Sequence, residues 1–106
     1  MRSAIVLFKD QEAGQLIQHD DGSFTFSYSS AWLTDSGKPA ISLTFPKSAR
    51  EYNSTVLFPF FYNMLPEGSN KQAICRRRKI DADDYFSLLL AVANYDTIGA
   101  VRVIKN

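Results

Sequence analysis

The hydrophobic pattern of this 106-residue chain changes its period once, and this change limits the fold more than any other feature. In the first part, apolar and polar residues alternate, as they do from Phe24 through Phe26 to Tyr28, which is typical of strands with one buried face. From Ser54 onward, apolar residues recur every three or four positions, which is typical of helices. A short β-branched segment at Gly99–Ile104 then indicates one last strand.

The alternating part predicts four antiparallel strands, at Ala4–Phe8, Gly14–Gln18, Phe24–Tyr28 and Ile41–Phe45. A polar connection at 9–13 joins the first two strands. Asp20-Asp21-Gly22 indicates the turn into the third strand, because glycine accepts a positive φ without a steric penalty. One short helical turn is expected at 29–33, and the fourth strand is expected to end at Pro46.

The second part predicts three helices. Ser54 is a candidate N-cap for the first helix, and Pro59 requires that this helix either start nearby or hold the proline in its first turn. Ser69 and Gln72 match a capping box for the second helix, which is expected to run to about Lys79. Asp81 is the expected cap of the third helix, which should end at Asn94 and bury the face formed by Phe86, Leu89, Leu90 and Ala93.

These predictions describe one α+β domain over residues 1–106: a small antiparallel sheet or partly closed barrel of about five strands, with three helices inserted before the last strand. The net charge of +1 argues against a protein whose main task is to neutralise phosphate. The apolar segments are shorter than the roughly 20 residues that a membrane span needs, and Met1 is not followed by a signal-peptide core. We therefore expect a cytoplasmic protein.

The motifs of common enzymes are absent from the sequence, including the phosphate-binding loop, the dinucleotide fingerprint and the kinase set. The single histidine, His19, sits at a predicted turn, where a solvated residue is the more ordinary interpretation than a general base. The single cysteine, Cys75, is expected in the core, and two such ligands fall short of a structural zinc site. We expect no catalytic residue, metal or cofactor, and a small enzyme is only the third choice.

Arg76-Arg77-Arg78-Lys79 is the strongest charge feature of the sequence. These side chains are candidates for contacts with phosphates or with an acidic partner. Cations at the end of a helix also interact favourably with its exposed carbonyl groups, so a solvated helix end is the simpler interpretation. Consecutive helical residues point in different directions, so the four charges cannot all line one groove.

The aromatic residues around Pro59 exceed what one face of one helix can hide. They predict either a partner-binding patch or complete burial against the sheet. The Pro66-Glu67-Gly68 connection follows them and is a natural place for an exposed recognition loop, with Glu67 favoured as a contact and Ser69 as a cap. The candidate partner-binding residues are Phe58, Phe61, Tyr62, Pro66, Glu67, Gly68 and Ser69.

Several ordered blocks of the sequence resemble the N-terminal subdomain of HipA-like serine/threonine kinase toxins, and together they cover nearly the whole chain. The blocks are Phe24-x-Phe26-x-Tyr28 with Trp32-Leu33, Ile41 to Pro46, Phe60 to Gly68, Asp84-x-Phe86-x-Leu88-Leu89, and Asp96 to Val101. The resemblance implies a small antiparallel sheet or barrel with helices.

In that family the subdomain forms the beginning of a longer kinase chain. The 106-residue length resembles that of systems in which the subdomain is a separate small protein. Such a protein is encoded beside a shortened HipA-like kinase and a helix-turn-helix DNA-binding antitoxin. The resemblance therefore implies a non-catalytic toxin–antitoxin component that binds a HipA-like kinase core and restrains or completes it. Some stand-alone relatives carry an aromatic residue directly after Pro-Glu-Gly, where this chain has Ser69, and this departure argues against a mechanism that plugs the kinase site with a bulky ring. The alternative is an accessory nucleic-acid-binding domain that uses Arg76 to Lys79.

Overall fold

The computed structural model describes residues 1–93 and 100–106, and this part of the chain contains one open, five-stranded antiparallel sheet. Its spatial order is β4-β3-β2-β1-β5, which leaves β4 and β5 at the two edges. The strands are β1 (Arg2–Phe8), β2 (Gln11–Gln18), β3 (Phe24–Tyr28), β4 (Glu51–Ser54) and β5 (Val101–Lys105). The predicted α+β class is confirmed, and of the two predicted forms the sheet is the one observed.

Four helices accompany the sheet in the described residues: α1 (Ser30–Thr34), α2 (Pro59–Tyr62), α3 (Gly68–Arg78) and α4 (Tyr85–Val92). The last three lie between β4 and β5 in the chain, as predicted. The remaining helix, α1, is the short helical turn expected after the third strand. The side chain of its N-cap Ser29 accepts a hydrogen bond from the Trp32 N–H.

One face of the sheet forms the core, because alternate residues along β1, β2, β3 and the edge strand β5 are buried there. The buried side chains on this face include Ala4, Val6, Leu16, Phe24, Phe26, Tyr28, Val101 and Val103. The third strand is confirmed with the predicted bounds. The first hairpin turns more tightly than predicted: Lys9 and Asp10, both at positive φ, form the turn, and β2 begins at Gln11.

The predicted fourth strand at Ile41–Phe45 is wrong. Ile41 and Phe45 are buried, but Leu43 between them is 99% exposed, so the segment does not present one apolar face. The Tyr28 hydroxyl accepts a hydrogen bond from the Ile41 N–H at 3.1 Å and donates one to the Phe45 carbonyl. Burial raises the pKa of Tyr28 above its usual value, which keeps this hydroxyl protonated as a donor. Both ends of the segment are therefore held by one side chain in a turn.

The fourth strand of the sheet is instead the polar segment β4, which pairs with β3. The Tyr28 N–H donates to the Arg50 carbonyl at 2.9 Å just before β4 begins. The hydroxyl of Thr25 donates to Oδ1 of Asn53 at 2.6 Å across the two strands. These bonds satisfy the outer edge of β3, which the apolar pattern alone does not reveal.

The N-caps predicted for the first and third of these helices, Ser54 and Asp81, also differ from the structure. Ser54 lies in β4, and α2 begins at Pro59, where a proline costs least because its missing N–H would have no intrahelical partner. The N-cap of α4 is Asp84, whose side chain accepts from the Ser87 N–H. Asp81 accepts from the Asp83 N–H in the turn before it. The predicted helix end at Asn94 and the strand start at Gly99 lie outside the described residues.

Candidate functional site

The aromatic segment around Pro59 is divided between the core and the surface. Phe58 is 8% exposed and Phe61 is fully buried, so these two candidate residues offer no side-chain surface to a partner. Their rings pack on Phe45, at centroid distances of 5.1 and 5.9 Å. Tyr62, the next residue, is 48% exposed. The buried phenylalanines thus anchor α2, while Tyr62 remains accessible.

The connection after α2 continues from this anchor as a tight turn. The N–H groups of Met64 and Leu65 donate to the carbonyls of Phe61 and Tyr62, each at 3.0 Å. Pro66 is half-buried, whereas Glu67, Gly68 and Ser69 are exposed. We call residues 62–69 the docking loop.

The C-terminal half of the docking loop starts α3 without a side-chain cap. Glu67 is the N-cap and its side chain makes no capping hydrogen bond. Gly68 has a φ of +57°, a conformation that glycine adopts at little cost. Ser69 lies inside the helix, so the capping box predicted from Ser69 and Gln72 is wrong. Backbone conformation, not a serine hydroxyl, sets this helix start.

The helix that follows, α3, has no buried residue. Its apolar side chains Ile74 and Cys75 are only half-buried, so the core position predicted for Cys75 is wrong. A helix of this kind contributes little to the core and leaves most of its surface accessible.

Tyr85 at the start of α4 connects the docking loop to α3. Its ring meets that of Tyr62 edge to face, with centroids 5.7 Å apart. The Lys71 ammonium lies 5.5 Å from the centroid of the same ring, within the range of a cation–π contact. These contacts join the loop, α3 and α4 at one accessible surface.

Two exposed apolar side chains were missed by sequence reasoning. Leu43 is 99% exposed and Val56 is 66% exposed. Each lies two residues from a ring of the contacting pair Phe45 and Phe58, so both belong to the end of the molecule that holds α2. Their periodic positions predicted burial, and no signal in the sequence distinguishes them from core residues.

The four basic residues lie at the far end of α3. Arg76, Arg77 and Arg78 form its last turn, and Lys79 is the left-handed C-cap, whose N–H donates to the Cys75 carbonyl. All four are exposed. This placement agrees with a solvated helix end. Arg76 and Arg78 each line a surface depression.

The ionisable group with the largest pKa shift is Asp84, the N-cap of α4. The guanidinium of Arg2 hydrogen-bonds the carboxylate at 2.8 Å and lowers the pKa of Asp84 from 3.8 to about 2, with further help from Ser87. His19 is half-buried, with Nε2 2.7 Å from the Thr25 hydroxyl. The Arg2–Asp84 pair joins β1 to the start of α4, and the His19–Thr25 contact joins the end of β2 to β3, so both have a structural role.

Within residues 1–93 and 100–106, no three metal-ligating side chains come together. None of the helices in this described part has the length and apolar character of a membrane span.

Comparisons with known proteins agree on one family. The family model described as the HipA N-terminal domain matches residues 4–104. A solved structure, the N-terminal domain of HipA toxin, superimposes with a TM-score of 0.71 and 31% sequence identity. The match covers 100% of this chain and 93% of that one.

Relatives of two different chain lengths are similar in sequence to this chain. An uncharacterised protein of Haemophilus influenzae is 34% identical over 88 residues, which cover 83% of this chain and 78% of that protein. Two proteins of Sinorhizobium fredii, Y4mE and Y4dM, carry provisional kinase names and are 31% and 36% identical. The matches cover 86% and 78% of this chain but only 21% and 22% of those proteins. The chain thus spans about a fifth of their length.

Proposed function

The chain belongs to the HipA N-terminal domain family, and we propose that it is a non-catalytic component of a toxin–antitoxin system that binds and regulates a HipA-like serine/threonine kinase. The family relation by itself supports a role related to toxin–antitoxin systems. The proposal adds two points. The partner is the kinase core, and the effect of binding is to restrain or complete that kinase.

The observation that carries the proposal is the docking loop. It is exposed at Tyr62, Glu67 and Ser69, yet it follows directly on the buried Phe61. A loop that is held by a core anchor loses little conformational freedom on binding, which favours affinity. Leu43 and Val56 are also exposed, and each lies two residues from Phe45 or Phe58, whose rings pack against Phe61. They add exposed apolar area at this end of the molecule.

The sizes of the relatives support the choice of partner. Y4mE and Y4dM, which carry provisional kinase names, contain a match to this chain over about a fifth of their length. In the Haemophilus influenzae protein the match covers most of the molecule. A domain that occurs both within such long proteins and within a small one is well suited to contact the remainder of the long type.

The decisive experiment is a calorimetric titration of the chain with a HipA-like kinase core that lacks this domain. Glu67→Lys reverses an exposed charge at the tip of the docking loop and is expected to weaken binding at least tenfold, about 1.4 kcal/mol. Glu12→Lys makes the same charge change at an exposed position of β2 and should bind as the unchanged chain does. Thermal melts of both variants report whether they fold.

Full-strength binding by a folded Glu67→Lys variant would remove the docking loop from the interface. No binding by the unchanged chain would refute the kinase partner altogether. The effect on the kinase is read from its autophosphorylation with and without the bound chain, and an unaltered rate in the complex would refute regulation.

The absence of catalysis is a separate part of the proposal. It rests on the sequence, which has no phosphate-binding loop and no kinase motif set. Titration of the isolated chain with Mg-ATP should therefore give no heat of binding. A dissociation constant in the low micromolar range would show that the chain holds a nucleotide site.

The exposure of all four residues from Arg76 to Lys79 favours one alternative, an accessory nucleic-acid-binding domain. If these cations only end a helix, binding to duplex DNA should be weak and should vanish near physiological salt, because few phosphates are neutralised. Submicromolar binding that persists at about 0.15 M salt would instead favour the alternative.

A further inference from the structure

A depression of about 410 Å³ lies beside α4, and none of residues 62–69 lines it. Its apolar wall comes from Leu90 and Ala91 of α4 and from Ile80, which follows α3. Three cationic side chains line it as well: Arg2 of β1, Lys105 at the end of β5, and Arg78 in the last turn of α3. Three separate elements therefore bring positive charge to one apolar hollow.

Of the three cationic side chains, one is paired with a carboxylate and two are not. Arg2 forms a salt bridge with Asp84, and its guanidinium carbon lies 4.9 Å from the centroid of the Phe86 ring. The side chains of Arg78 and Lys105 form no hydrogen bond or ion pair with any other residue of the described part of the chain. Arg2 is thus a fixed and balanced part of the wall, while two charges at the rim remain uncompensated.

Apolar walls with uncompensated cations at the rim match a ligand that carries both apolar and negative groups. A phosphate ion would leave the apolar wall unused. Single-stranded nucleic acid needs aromatic faces on which bases stack, and the one ring here, that of Phe86, is only 1% exposed. An acidic peptide with a large apolar side chain uses both parts of the depression.

We propose that this depression binds an acidic segment of a partner protein, with an apolar side chain against Leu90 and Ile80 and carboxylates beside Arg78 and Lys105. The site is distinct from the docking loop, because Gly68 and Arg78 are at opposite ends of the 11-residue helix α3. At 1.5 Å per residue, these ends are about 15 Å apart. The proposal therefore goes beyond kinase binding and does not depend on it.

The test uses the full chain and a short fluorescein-labelled peptide in which leucines alternate with pairs of glutamates, followed by fluorescence anisotropy. We expect saturable binding that Arg78→Glu combined with Lys105→Glu weakens at least tenfold, and that added salt also weakens. Arg77→Glu changes a neighbouring exposed charge outside the depression and is the matched control. Amide resonances of Ile80, Ala91 and Lys105 should shift when the peptide binds.

Companion probes distinguish the sources of affinity. A peptide with glutamine in place of glutamate and one with serine in place of leucine should each bind much more weakly. Equal binding of either companion peptide, tighter binding of an oligothymidylate of similar length, or equal binding by the double variant would overturn the proposal. So would the lack of saturable peptide binding up to about 1 mM, a concentration that corresponds to about 4 kcal/mol.

The two proposals fail independently. Glu67→Lys should bind the acidic peptide as the unchanged chain does, even where it no longer binds the kinase core. If Glu67→Lys abolishes peptide binding as well, the depression is not a separate site and the proposal is wrong.

Discussion

The two longest helices, α3 and α4, follow one another in the chain but are held by different forces. The longer helix, α3, has 11 residues and buries none of them. The shorter, α4, has eight residues and buries Phe86, Leu88 and Leu89. Isolated helices shorter than about 12 to 15 residues are marginal in water, so burial decides which of the two is firmly held.

The ends of the two helices differ in the same way. Asp84 caps α4 with its side chain and also pairs with Arg2 of β1. At α3, the backbone turns through positive φ at Gly68 and again at Lys79, without a side-chain cap at Glu67. With no core contacts to maintain, the surface of α3 is free to serve binding, and both proposed sites include one of its ends.

The largest expected effect contrasts one leucine of α4 with one isoleucine of α3. Leu89→Ala should lower the free energy of unfolding by about 2 to 5 kcal/mol, because it leaves a cavity at a fully buried site. Ile74→Ala, at a half-buried site, should cost about 1 kcal/mol or less. Urea unfolding measures both. Similar losses from the two substitutions would mean that α3 is anchored as firmly as α4.

The capping difference predicts a smaller effect. Asp84→Ala removes the cap and the partner of Arg2, and should cost about 1 to 2 kcal/mol. Ser69→Ala should change the free energy of unfolding by no more than about 0.5 kcal/mol, because Ser69 lies within α3 and not at its N-cap. A loss above 1 kcal/mol for Ser69→Ala, on the order of a lost cap, would restore the predicted capping role.

The backbone turn at the start of α3 predicts a local effect. Gly68→Ala meets no neighbouring atom within 4 Å but places a Cβ at a φ of +57°, which costs about 1 kcal/mol. Because α3 buries no residue, the cost should appear as faster amide hydrogen exchange in α3, with little change in α4. Lys79→Gly relieves the same strain at the other end and should slow exchange there. Equal acceleration in α3 and α4 would show that the helices open together.

The smallest expected effect is a pH dependence of stability, which the charged N-cap Asp84 should give to α4 and which α3 should lack. The pKa of Asp84 is lowered from 3.8 to about 2, chiefly by Arg2, so its charged form favours the folded state. This stabilisation is complete above the pKa of the unfolded chain and is lost as the pH falls from about 4 to 2. Because the pair is partly exposed, it should amount to no more than about 1 kcal/mol.

Comparison with Asp84→Asn, which retains a good capping residue, isolates this charge. The difference in unfolding free energy between the two proteins should shrink as the pH approaches 2. No acidic residue lies within Gly68–Arg78, so hydrogen exchange of α3 offers an internal reference. A difference that stays constant between pH 5 and 2 would show that the Arg2 pair contributes nothing to folding.

Much of the candidate site could be predicted from the sequence. The aromatic segment, the connection at Pro66-Glu67-Gly68 with its exposed Glu67, and the basic end of α3 all lie where residue types indicated. The burial of Phe58 beside the exposure of Tyr62 could not be predicted, because it depends on the position of Phe45, which is distant in sequence. The same is true of the depression, where Arg78 meets Arg2 and Lys105 from the two ends of the chain.

What the sequence determined by itself is the set of elements whose periodicity is local: β1, β2, β3, the helical character of 59–92, and hence the α+β class. Only the tertiary structure decided that Ile41–Phe45 is a turn around the Tyr28 hydroxyl and that the polar Glu51–Ser54 completes the sheet. Alternation reports which side chains one segment would bury, but strand pairing depends on which backbone groups a distant neighbour leaves unsatisfied. That requirement, set by the edge of β3, is met through long-range contacts that no local pattern records.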